Sequence, residues 1–152
     1  MAKINPDLHL TEQEIDALLS NETRCRIATI GPGDGINLTP MTFGWAHGKV
    51  YIFGRGQKVA NLRKTPTATV LVDVGERWFE LQGIMLRGQA RILENEAEEE
   101  AETGLAAARE NIATKHQLDQ PYAASAAGRS RRWIVFTPSK VVTWNNAHLK
   151  PA

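Results

Sequence analysis

Pro40 is the residue that most narrows what this chain can fold into. It stands inside a strand-like run, residues 36–45. A proline has no N–H to give to a central ladder, so its strand must lie at a sheet edge or carry a bulge there. A barrel that opens at such a strand leaves room for a ligand against Thr39, Pro40, Met41 and Thr42. The plainer alternative is an edge-strand proline that blocks pairing with other chains.

Five further runs read as strands: 25–30, 49–53, 67–74, 79–93 and 132–144, the last interrupted at Pro138. Gly83 and Gly88 suggest bends or bulges in the long fifth run. Ala46-His47-Gly48 joins the second and third as a hairpin. The spaced glycines of 31–35 fit a turn with positive φ better than a ligand loop. Thr11-Glu12-Gln13-Glu14 is a capping box ahead of Ile15, Leu18 and Leu19, so a short helix begins there. Asn95-Glu96-Ala97-Glu98 opens a helix with Arg109 and Lys115 further on, which suits the helix dipole. Its acidic residues read as a solvated face rather than a metal site. Residues 121–128 form an alanine-rich loop. Six strands with short turns and outer helices predict a mainly β fold with peripheral α, a small six-stranded antiparallel barrel. One domain spans residues 1–152, without internal repeats.

The third strand runs into Gly54-Arg55-Gly56-Gln57-Lys58, and Val59 and Leu62 then recur at helical spacing until Pro66. Arg55, Gln57 and Lys58 stand where the first helical N–H groups lack partners, a position that favours an anion. A phosphate-bearing cofactor fits such a cradle; a solvated connection between strand and helix has the same composition. The stretch is neither a Walker loop nor the dinucleotide fingerprint, whose glycine spacings it lacks.

Net charge is +1, which gives no electrostatic case for nucleic acid or an anionic membrane. The single cysteine, Cys25, lies in an apolar run and reads as a small buried hydrophobe. No apolar run reaches membrane-spanning length, and residues 1–7 lack the apolar stretch of a signal peptide, so a cytoplasmic protein is expected. His9, His47, His116 and His148 are scattered, and no set of ligands has zinc spacing.

The runs Asn37–Met41, Gly54–Arg63, Glu80–Ala90 and Lys140–Trp144, in that order and spacing, resemble the flavin-binding split-barrel proteins of the pyridoxamine 5'-phosphate oxidase-like superfamily. The resemblance extends from Leu18 to Leu149 and is nearest to the group that uses FMN or the deazaflavin coenzyme F-420. It implies a six-stranded FMN-binding split β-barrel and a homodimer with the cofactor at the interface. It places Asn37, Leu38, Thr39, Pro40 and Met41 beside the isoalloxazine ring. It places Phe53, Gly54, Arg55, Gln57, Lys58 and Asn61 at the ribityl phosphate. The substrate-binding arginine and histidine pattern of the B6 oxidases is not evident in residues 143–148, so oxidation of vitamin B6 is not implied.

The function implied is a flavin- or F-420-dependent oxidoreductase that moves a hydride to or from a small conjugated substrate. Such an enzyme needs no protein nucleophile and no metal, and none is expected here. Of the four tryptophans, Trp78 and Trp144 stand at strand ends and are the candidates for the cofactor side; core packing is the alternative for each. Arg129, Arg131 and Arg132 read as a solvated loop, although a longer anionic tail such as that of F-420 could use them. A cofactor-sequestering protein without turnover and a haem-handling split barrel are the alternatives, the last weakened because no histidine is placed for axial ligation.

Overall fold

The computed structural model describes residues 8–149. Seven antiparallel strands form one curled sheet in the order β2-β1-β5-β6-β7-β4-β3. They are β1 (Arg24–Ile30), β2 (Ile36–Thr42), β3 (Gly44–Ala46), β4 (Lys49–Gly54), β5 (Thr67–Val74), β6 (Gln82–Leu93) and β7 (Arg132–Asn145). Four helices accompany them: α1 (Glu12–Asn21), α2 (Gln57–Lys64), α3 (Glu96–Ala101) and α4 (Leu105–Lys115).

The count of strands corrects the six expected. The run 36–45 breaks at Phe43, and its two pieces lie at opposite edges of the sheet. One residue spans that gap, so the sheet must curl until its edges meet, and this closes the half-barrel. Phe43 is fully buried at the join. β2 is an edge strand, as Pro40 requires.

Inside the curl, Ile27, Ile52, Val70, Leu86 and Phe136 pack with Val59 and Leu62 of α2 and Leu19 of α1. A second core lies on the other face of β4 and β7, where Tyr51, Phe53, Trp133 and Val135 meet Leu105, Ala108 and Ile112 of α4. β4 is therefore buried on both faces.

The Thr11 capping box forms as expected: Thr11 Oγ1 accepts from Glu14 N–H and Glu14 Oε1 accepts from Thr11 N–H, each at 3.1 Å. His47 and Gly48, at φ 51° and 71°, make the two-residue turn between β3 and β4. The fifth strand starts later than expected, because residues 78–80 form a 3-10 turn. A register shift between Arg87 and Gly88 faces Pro138, so β7 continues past its proline without a break. Gly83 marks no bulge; a Cβ there would collide with the ring of Trp144, its partner across the ladder. The single helix expected from residue 95 is two, α3 and α4. Glu102 ends the first by turning inward, where its carboxylate accepts from Tyr51 Oη at 2.7 Å, Lys49 Nζ at 3.3 Å and Arg91 at 2.6 Å. Burial alone would raise the Glu102 pKa; these bonds and the Lys49 and Arg91 charges outweigh it and hold the carboxylate below its usual range.

Candidate functional site

The pairing of β1 and β2 decides which β2 side chains face inward. Met41, Thr39 and Asn37 lie opposite Cys25, Ile27 and Thr29, all three buried in the curl. Directly opposed residues share a face, so Asn37, Thr39 and Met41 point into the half-barrel. Ile36, Leu38 and Pro40 point out, with Leu38 63% exposed. Asn37 Oδ1 and Thr39 Oγ1 are sequestered from solvent yet have no hydrogen-bond partner among the described residues. Two unpaired polar atoms on one inward face are a cost that a ligand would remove.

The same face meets the strand-to-helix turn. A Cβ at Gly54 would lie 3.3 Å from Met41 Cε and 3.4 Å from Lys58 Cδ. Glycine at that position lets Met41 of β2 and Lys58 of α2 close over the backbone together. Gly56 caps α2 with φ at 80° and no side-chain bond; Val59 N–H turns back to Gly56 O at 3.2 Å, which leaves the N–H groups of Gln57 and Lys58 uncapped. Lys58 Nζ donates to Arg55 O at 3.0 Å. Partial burial, then the charges of Arg55 and Arg131, push the Lys58 pKa below its ordinary value.

A polar ladder ties the helix to β1. Gln57 Nε2 donates to Asn61 Oδ1 at 2.6 Å, and Asn61 Nδ2 donates to Thr29 Oγ1 at 3.0 Å. Beside it is a cleft of about 210 Å³ lined by Ile30, Gly31, Pro32, Gln57, Ala60, Asn61, Lys64 and Thr65. The contributions of Thr29 and of the 31–32 turn are missed by sequence reasoning, because Thr29 sits in an apolar run and the turn reads as pure backbone geometry. Only the periodicity of β1, which puts Thr29 in line with Cys25 and Ile27, points to it.

Eight of the expected residues thus surround one region: Asn37, Thr39, Met41, Gly54, Arg55, Gln57, Lys58 and Asn61. Five do not. Leu38 and Pro40 face outward by strand alternation. Phe53 faces the second core, 5.2 Å from the Trp133 ring, because neighbours on a strand alternate faces and Ile52 takes the inner one. Trp144 lies on the outer sheet face over Gly83. Trp78 is in the 3-10 turn at the β5–β6 end, opposite to the end from which α2 starts. Arg63 is held by Glu94 at 2.6 and 3.0 Å and is not free for a ligand. Among the described residues no group of three or more His, Cys, Asp or Glu could hold a metal ion. No helix among them is long and apolar enough to cross a membrane.

The pyridoxamine 5'-phosphate oxidase family model matches residues 11–145. The chain belongs to that family. As a member of the pyridoxamine 5'-phosphate oxidase family, it shares its fold with solved structures across most of its length. A conserved hypothetical protein from Mycobacterium tuberculosis, Rv2991, is 23% identical with a TM-score of 0.71, over 99% of this chain and 95% of that one. A FAD-binding protein from Mesorhizobium loti is 17% identical with a TM-score of 0.63, over 88% and 94%. An F420 reductase is 18% identical with a TM-score of 0.61, over 84% and 94%. At these identities the likeness establishes the fold. No curated protein matches the chain.

Proposed function

We propose that this member of the pyridoxamine 5'-phosphate oxidase family is a cytoplasmic oxidoreductase that uses a flavin or deazaflavin to pass a hydride to or from a small conjugated substrate. The observation that carries the reading is the meeting of Met41, Gly54 and Lys58, which sets an inward polar face against a cationic strand-to-helix turn. The residues fit a phosphate-bearing ring. Gly54 lets Met41 and Lys58 meet, Asn37 and Thr39 offer unpaired polar atoms, and Arg55 and Lys58 pair with no described carboxylate.

The bound cofactor would supply the hydride chemistry itself. The chain does the rest. Lys58, Arg55 and the first N–H groups of α2 hold the phosphate. Asn37 and Thr39 hydrogen-bond the ring or its side arm. Met41 gives an apolar wall, and the inward position of all three keeps bulk water from one side of the reacting region.

A homodimer is part of the proposal. Ile36 is 75% exposed and Leu38 63%, on the outer face of an edge strand, with Ile30 and Pro40 beside them. Apolar side chains in that number on one exposed face are accounted for by a second copy covering them. Light scattering that finds only monomer at micromolar concentration with cofactor bound would refute this part.

F-420 is favoured over FMN. Lys64 in the adjacent cleft and Arg131 near Lys58 add positive charge beyond what one compact phosphate needs. Equilibrium fluorescence titrations should show F-420 binding tighter than FMN, with a steeper loss as salt rises. Tighter FMN binding at both low and high salt would reverse the choice of cofactor. Binding of neither would overturn the oxidoreductase reading.

A further inference from the structure

Gly54 and Arg132 are partners at the terminal rung of the β4–β7 pair. In an antiparallel pair, the residue after one partner stands beside the residue before the other. Arg55 and Arg131 therefore follow that last rung just beyond the end of the ladder, although 76 residues of sequence separate them (131 − 55). Lys58 joins them through its bond to Arg55 O at 3.0 Å. The charges of Arg55 and Arg131 both act on its amine, in line with the depressed pKa described above.

Three like charges held together repel one another unless something neutralises them. Glu94 is spent elsewhere: it takes Arg63 at 2.6 Å and stands 3.7 Å from Arg132. None of Arg55, Lys58 and Arg131 pairs with a described carboxylate. Arg132 instead turns back, donating to Arg131 O at 2.9 Å and to Arg129 O. That fixes the 129–131 segment where it enters β7, next to the turn.

We propose that Arg131 is a third binding residue of the anion site at the Gly54–Lys58 turn, which therefore takes a phosphate-bearing ligand of at least two negative charges. The proposal rests on the reading of that turn as a phosphate site, though not on the identity of the ring attached. It assigns a ligand contact to a loop whose composition alone reads as solvated surface.

The test uses the full chain with inorganic pyrophosphate, FMN, F-420 and riboflavin as probes, by isothermal titration at two salt concentrations. Arg131→Ala should weaken pyrophosphate and the preferred phosphate-bearing cofactor roughly tenfold and flatten the salt dependence. Arg131→Lys should recover part of the loss. Arg129→Ala should stay within about twofold of the parent, and riboflavin, which has no phosphate, should not respond to Arg131→Ala. Parent-like binding of pyrophosphate and cofactor by Arg131→Ala overturns the proposal and leaves the flavin reading standing. Binding of pyrophosphate but of neither cofactor, with the loss at Arg131→Ala, supports the Arg131 contact while the flavin reading falls. A loss at Arg129→Ala equal to that at Arg131→Ala, or a parent that binds none of the anionic probes, also overturns it.

Discussion

The Lys115 ammonium lies 3.6 Å from the centroid of the Phe43 ring and donates to Phe43 O and Leu19 O, each at 3.1 Å. One amine thus joins α4, the end of α1 and the single residue that links β2 to β3. Glu22 is a charged group that acts on it, and the Cys25 thiol is the other ionisable neighbour.

This pair gives a pH signature. Burial pushes the Lys115 pKa down to about 8 from 10.5, against the opposing pull of Cys25 and Glu22. The unfolded chain then binds more protons than the folded one between those values, so this group makes stability rise with pH there. Below about pH 8 its cost is constant. Burial also pushes the Cys25 thiol up to about 12 from 9.0, although the Lys115 charge opposes it. A buried thiol that keeps its proton works the other way above pH 9, so the two slopes offset up to about pH 10.5 and stability falls beyond it. Urea unfolding should therefore show stability rising from pH 8 to 9, at no more than about 1.4 kcal/mol per pH unit. Lys115→Met should abolish the rise, and Cys25→Ala should abolish the later fall. An unchanged profile in Lys115→Met would refute the assignment.

Thr29 and Asn61 are both buried, and each satisfies the other. Asn61→Ala should cost about 1–3 kcal/mol, since it strands the Thr29 hydroxyl and releases Gln57. Thr29→Val in the same background should add little. A double-mutant cycle by chemical unfolding checks this; additive losses would mean the bond contributes nothing.

Gly83→Val should cost about 1–3 kcal/mol, because the new side chain meets the Trp144 ring, which must move. Trp144→Leu should recover most of that loss, with thermal unfolding as the readout. If the double variant is no more stable than Gly83→Val, the clash is elsewhere.

Lys58→Ala should weaken the preferred cofactor about ten- to a hundredfold while leaving the unfolding midpoint nearly unchanged. Among the described residues its amine bonds only a backbone carbonyl, so little of the fold depends on it. A variant that binds as the parent does, at low salt and at high, would remove Lys58 from the site.

Much of this was legible in the sequence where a local rule acts alone. The Thr11 capping box, the edge position of Pro40 and the Gly54–Lys58 turn each follow from residues next to one another. The break at Phe43 was not, because its neighbours go on looking like strand, and nothing in composition marks a residue that bridges two sheet edges. The turn of Phe53 away from the half-barrel into a second core was hidden too. A strand buried on both faces shows a continuous apolar run, which does not say which side chain faces which layer. The approach of Arg131 to Lys58 depends on the register of β4 and β7, and no local pattern encodes it.

The one-residue crossing at Phe43 also makes the half-barrel a band with a seam. β2 lies on one side of the seam and β4, with the turn it feeds, on the other. A ligand gripped by Asn37 and Thr39 as well as by Lys58 would lie across it like a rivet. Parting of the sheet edges and release of that ligand would then be a single event, and the amides flanking Phe43 would exchange with solvent more slowly when the rivet is in place.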